Sequence, residues 1–137
     1  MTKESKLMSG IILLSIPTIM FGGNFLLGLL SGSYPEMELT EFQKSMFRAG
    51  HGHAGVLVIL ALIAQFMTDH AKLTNSWKWI VRSGFPAASI LVSGGFFAAA
   101  GGPGLIQPNS FIAILYLGIL VLTVSLVALG AGLIRSK

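Results

Sequence analysis

The chain has 137 residues, of which 53% are apolar and only 10% charged. A soluble domain carries about 25% charged residues, so this composition excludes an ordinary water-soluble domain and points to lipid as the solvent. The net charge of +4 does not mark a nucleic-acid binder, because the nine basic residues sit at the ends of apolar stretches, where lipid headgroups would meet them. The absence of cysteine excludes disulfides, thiolate nucleophiles and thiolate metal sites.

Four apolar stretches occupy most of the chain: Leu7–Leu30, Phe47–Met67, Trp79–Ala100 and Ser110–Ile134. Each reaches the length of about 20 residues that crossing ~30 Å of hydrocarbon requires. The expected fold is all-α, a polytopic membrane protein built as one four-transmembrane-helix bundle over residues 1–137.

The first stretch follows Lys3 and Lys6 and exceeds the roughly 7–15 residues of a secretory signal core. It reads as an uncleaved anchor, with cleavage near Ser31-Gly32-Ser33 as the alternative. Pro17 removes a backbone donor and predicts a kink. Gly28 and Gly32 form a G-x-x-x-G that permits close helix approach, read here as packing within one subunit. Thr40-Glu41-Phe42-Gln43 has the pattern of a capping box, so the second helix is predicted to begin near Glu41 and to reach the bilayer through an amphipathic lead-in. Asn75 or Ser76 is predicted to cap the third helix, and Gly101-Gly102-Pro103-Gly104 to stop it. Asn109 or Ser110 is predicted to cap the fourth.

Seven of the nine Lys and Arg residues fall at the N-terminus, between the second and third stretches, or at the C-terminus. The excess of positive charge on cytoplasmic segments then places both termini in the cytoplasm. Trp77 and Trp79 open the third stretch at the level of an inner aromatic belt.

The dense polar cluster expected at membrane depth is Phe47-Arg48-Ala49-Gly50-His51-Gly52-His53-Ala54-Gly55. Ionisable groups within a span are costly and default to functional hypotheses, although Arg48 lies near enough to the outer end to snorkel to the headgroups. His51 and His53 are two residues apart, so on an α-helix they point about 200° from each other. Chelation of one metal by both therefore needs local distortion. Asn24, His51, His53, Ser93 and Tyr116 lie at a similar depth on the four stretches, and Asn24, Arg48, His51, His53 and Tyr116 are candidates to line one outer-leaflet pocket. His70 reads as a solvated helix end that complements the dipole.

The run from Phe47 to Leu57 resembles a segment of small bacterial four-span integral membrane proteins. The similarity extends through Gly95-Phe96-Phe97 and Pro108-Asn109 and implies a membrane location without implying an activity. The same histidine segment also resembles, over about ten residues, the haem-ligating second helix of haem-copper oxidase subunit one. That resemblance implies a haem on one histidine. The other metal-binding histidines of that family are missing here, so oxygen reduction is not implied. The chain departs from small multidrug exporters, which need a Glu in the first span, and from fluoride channels, whose charge is balanced for dual orientation. It also lacks the Arg, Asn and Glu companions carried along the second helix by membrane glutathione-transferase relatives.

Three classes of function follow as expectations. The first is a membrane subunit or scaffold without chemistry of its own, working in the lipid bilayer of a bacterial cell membrane as a homo-oligomer or part of a larger complex. The second is a haem- or transition-metal-binding protein using His51 or His53. The third is a small-solute channel or carrier constricted at the Asn24–His51–Tyr116 level. No nucleophile–base pair or intramembrane acid is visible to argue for an enzyme, and no nucleic-acid partner is expected.

Overall fold

A computed structural model describes residues 1–136 and shows four α-helices, with no strand among the described residues. They are α1 (Lys3–Leu30), α2 (Glu41–His70), α3 (Asn75–Ala99) and α4 (Ile112–Ile134). All four are long and apolar enough to cross a membrane. The helices extend beyond the apolar stretches where a polar cap lets them: Thr2 starts α1 by accepting from the Ser5 amide at 3.2 Å. Thr40 and Gln43 form the expected capping box at the start of α2. The cap of α3 is Thr74, not Asn75 or Ser76, because the Thr74 hydroxyl accepts from the Trp77 amide. At α4 the helix proper begins after Phe111, and Asn109 supports its entry by accepting from the Phe111 amide at 2.9 Å.

Gly32 ends α1. Its φ of +78° is left-handed, and the Ser33 amide donates to the Gly28 carbonyl at 2.9 Å while the Gly32 amide donates to Leu29. This is the Schellman geometry that glycine permits. Gly28 itself lies under the Tyr34 ring of the following loop, so the G-x-x-x-G serves the chain's own turn.

Successive helices run antiparallel. One end of the bundle gathers the N-terminus, the α2–α3 turn and the end of α4: the Thr2 amide donates to Asp69 and the Lys72 amide to Gly132. At the opposite, distal end, the buried side-chain Nε2 of Gln43 donates to the Ala100 carbonyl at 2.9 Å and to the Gly102 carbonyl at 2.7 Å. The Thr40 hydroxyl donates to the Leu105 carbonyl beside it.

The packing is uneven. α3 lies against both α2 and α4 along most of its length, α1 rests mainly on α2, and α1 and α4 do not pack on each other. The core centres on Phe85 and Val81 of α3, with Ala61 and Ala64 of α2 and Leu129 of α4 around them. Small residues bring α3 and α4 close, the mode by which apolar helices associate when solvent supplies no drive. A Cβ on Gly118 would come within 2.7 Å of the Val92 amide nitrogen, and one on Gly95 within 2.5 Å of the Leu115 amide nitrogen. Backbone cannot step aside as a side chain can. Gly118→Val is therefore expected to destabilise the bundle by about 1–3 kcal/mol, read as a lowered melting temperature in detergent. Gly130→Val, on the same helix where an added Cβ meets nothing within 4 Å, is expected to leave the melting temperature nearly unchanged.

Candidate functional site

The histidine segment lies on an unbroken α2, and its two rings go to different neighbours. His51 is half-buried, its ring edge against α1: Nε2 and Cε1 lie 2.7 and 2.8 Å from where a Gly23 side chain would begin. Only the missing side chain of Gly23 admits it. His53 is exposed; its ring stacks on Phe96 of α3 with centroids 5.0 Å apart, and its Nδ1 is 2.8 Å from the Ala49 carbonyl. In the tautomer that carries the proton on Nδ1, this is a donated hydrogen bond to the preceding turn.

The expected polar level does not converge. Asn24 and Arg48 are exposed, and Tyr116 is 63% exposed on the outside of α4. No group of three or more His, Asp or Glu side chains is placed to hold a metal ion among the described residues. Haem ligation through His51 Nε2 does not fit, because the α1 backbone occupies the space that the iron and macrocycle would need. The pair cannot chelate one ion either, since α2 keeps regular helical geometry and directs the rings to different helices.

The densest side-chain hydrogen-bonding cluster lies instead at the end that gathers the termini, and sequence reasoning did not single it out. Arg82 of α3 is 2% exposed. Its guanidinium donates to Asp69 Oδ1 of α2 at 2.7 Å and to the Ser5 hydroxyl of α1 at 3.3 Å. Ser5, fully buried, donates to Asp69 Oδ1 at 2.5 Å, with the Gln65 carbonyl 3.0 Å away as the alternative acceptor. Thr2 adds its hydroxyl and its amide to the two Asp69 oxygens, each at 2.9 Å. Three helices are thus joined through one carboxylate. The N-terminal ammonium lies 4.0 Å from the other Asp69 oxygen, and charge-assisted bonds of this kind are about twice as strong as neutral ones.

A second contact completes the knot. Pro86 has no N–H, so the carbonyl one turn earlier, that of Arg82, has no partner within α3. Gln65 of α2 supplies one: its Nε2 donates to the Arg82 carbonyl at 2.9 Å. Gln65 is fully buried, and its Oε1 has no hydrogen-bond partner. The signals were present in the sequence: a glutamine inside an apolar stretch, an arginine four residues before a proline, and one of only five acidic residues at the end of the preceding helix. What sequence could not supply was the rotation of each helix that brings them together.

Two cavities line up along the seam where α1 and α3 stand apart over α2. The distal one, about 560 Å³, is walled by Phe25 and Leu26 of α1, Phe47 of α2 and Phe97 of α3, with Gln43 at its base and Glu36 at its rim. The middle one, about 320 Å³, lies between Ile12 and Ile19 of α1 and Pro86 and Ser93 of α3, floored by Ala54 and Val58 of α2. His51 lies between Phe47 and Ala54 on α2, packs against Gly23 and lines neither cavity.

No family model matches the chain, and no curated protein or solved structure shows significant similarity to it.

Without Arg82, Asp69 keeps the Thr2 and Ser5 donors and the N-terminal ammonium 4.0 Å away. Arg82→Met is therefore expected to destabilise the bundle by about 1–3 kcal/mol, the worth of its charge-assisted bonds. The double variant Arg82→Met with Asp69→Leu should recover much of that loss. Unfolding in mixed micelles across the four-membered cycle measures the coupling, and additive losses would show that the two residues do not act as a pair.

Proposed function

We propose that the chain is a four-span integral membrane protein with both termini cytoplasmic, acting as a membrane subunit or scaffold without chemistry of its own. The observation that carries this reading is the pattern of exposure. The outward faces of α1 and α4 are clad in large apolar side chains, among them Leu14 (82% exposed), Phe21 (76%) and Val127 (66%). Soluble monomers rarely expose contiguous apolar patches beyond a few hundred Å², so these faces suit hydrocarbon or another apolar helix.

Charge supports the orientation. The end that gathers the termini carries Lys3, Lys6, Lys72, Lys78, Arg82 and Arg135 against Glu4 and Asp69, whereas the distal end carries Lys44 and Arg48 against Glu36, Glu38 and Glu41. Arg82 is neutralised by Asp69, and the bias persists without it. The exposed Trp77 and Trp79 at the start of α3 suit an interfacial belt. The scaffold reading draws on α1 and α4, which flank the bundle without packing on each other and so leave two separate apolar faces for neighbours.

The chain has no native cysteine, which makes topology mapping direct. Ser76→Cys in intact cells is expected to resist a membrane-impermeant maleimide until permeabilisation, and Gln107→Cys to react at once; the reverse pattern would refute the orientation. Recovery in the supernatant after alkaline carbonate extraction would refute membrane insertion itself. The subunit role predicts a species larger than one chain when the native protein is extracted in mild detergent and its protein mass is measured by light scattering.

A further inference from the structure

The middle cavity differs from an ordinary packing defect in one respect. Four hydroxyl residues line it: Ser15 and Thr18 from α1, Ser89 and Ser93 from α3. Three of them donate back to their own helices, Ser15 to Ile12 at 2.7 Å, Thr18 to Ser15 at 2.6 Å and Ser89 to Pro86 at 2.8 Å. This is the usual resolution for a hydroxyl inside a helix among apolar neighbours. Ser93 does not follow it. The residue is 7% exposed, and its Oγ is buried with no hydrogen-bond partner. A buried hydroxyl left unmatched is costly and calls for an explanation.

The surroundings restrict what could satisfy it. No charged side chain lines the cavity, and its remaining walls are Ile11, Ile12, Ile19, Val58 and Ile90 with Ala54 and Pro86. A bound molecule must therefore be neutral and hydrocarbon-bodied, with one oxygen able to give or take a hydrogen bond. The lip is formed by Ile11, 53% exposed, and Ile90, 72% exposed, so entry is lateral, from the apolar phase around the bundle. The volume of about 320 Å³ lies at the lower end of the range for small-molecule sites. The groove exists because α1 and α3 are tied by Ser5 and Arg82 at one end and rest on α2 elsewhere.

We propose that the α1–α3 groove is a binding site for a neutral lipid-phase molecule, a hydrocarbon chain or ring bearing a hydroxyl or carbonyl that pairs with Ser93. The proposal rests on the membrane reading above and makes that reading specific: the bundle would hold a small lipophile presented from the bilayer. A turn of the Ser93 side chain, whose Oγ is closed off in the empty groove, presents the hydroxyl to the ligand's oxygen, and the hydrocarbon body lies along Ile12 and Ile19.

The test uses the full chain in lipid nanodiscs with two photoreactive probes, a diazirine-bearing long-chain alcohol and the matched diazirine alkane. The alcohol is expected to label the peptides containing Ile11–Ile19 and Pro86–Ser93 saturably, with competition by unlabelled long-chain alcohol. Ser93→Ala should lower alcohol labelling about three- to tenfold, the worth of one hydrogen bond, and leave alkane labelling unchanged. Ser89→Ala, whose hydroxyl is already satisfied within α3, should change neither; it also controls for a lost serine as such. Equal labelling by both probes, or an alcohol preference that survives Ser93→Ala, overturns the site. So does unsaturable labelling spread over α4, the signature of bulk lipid, or efficient disulfide cross-linking of two copies through Ile90→Cys, which would mean that a second copy covers the groove. Carbonate extraction keeps the two readings apart: a chain that stays in the membrane yet shows no alcohol preference loses only the groove.

Discussion

The hydrogen-bonded knot around Asp69 sets the arrangement of three of the four helices. A carboxylate and a guanidinium placed among apolar groups are tolerable only when each finds the other and the remaining lone pairs and protons are occupied. Here Arg82, Ser5 and Thr2 all converge on one carboxylate. Gln65 then donates to the Arg82 carbonyl, the group that Pro86 leaves without its helical partner. A proline that would weaken α3 in isolation becomes a point of attachment to α2. The N-terminal turn is drawn into the same cluster, so the rotation of α1 is tied to that of α3 at this end.

Away from the knot, the helices are held by different means, and the differences shape the surface. α3 and α4 approach until backbone meets side chain and backbone at Gly95 and Gly118. α1 has no such run of close contacts with α3. It leans on α2, admits the His51 ring at Gly23, and stands off α3 over the middle of its length. The two cavities lie on the looser seam: α3 and α4 are brought close by glycine, whereas α1 and α3 are tied at one end through Ser5 and Arg82. Ser93 lines the open seam, and its buried hydroxyl has no partner within the bundle.

Much of the local structure was legible because it depends on neighbours in sequence. The Thr40–Gln43 capping box follows from residue types three apart, and the start of α2 at Glu41 follows from it. The stop near Gly101–Gly104 follows from Gly and Pro, which end helices whatever surrounds them. The histidines were read correctly as pointing apart, since that angle is fixed by helical geometry. Shared depth proved a poor guide to shared space. Asn24 and Tyr116 stand near the level of His51, but their helices turn them outward. Arg82 was counted as a flanking charge near the headgroups, and the structure buries it beside Asp69.

Composition and pattern by themselves determined that four long apolar helices form, where α2 begins, where α1, α3 and α4 end, and how charge divides between the two ends of the bundle. These properties are set by residue type and by spacing within a turn or two. Only the tertiary structure decided which polar groups pair, which glycines carry backbone contact and where α1 leaves a groove. Those outcomes depend on the rotation of each helix about its own axis, and that rotation is fixed by contacts between residues as distant as Ser5 and Arg82.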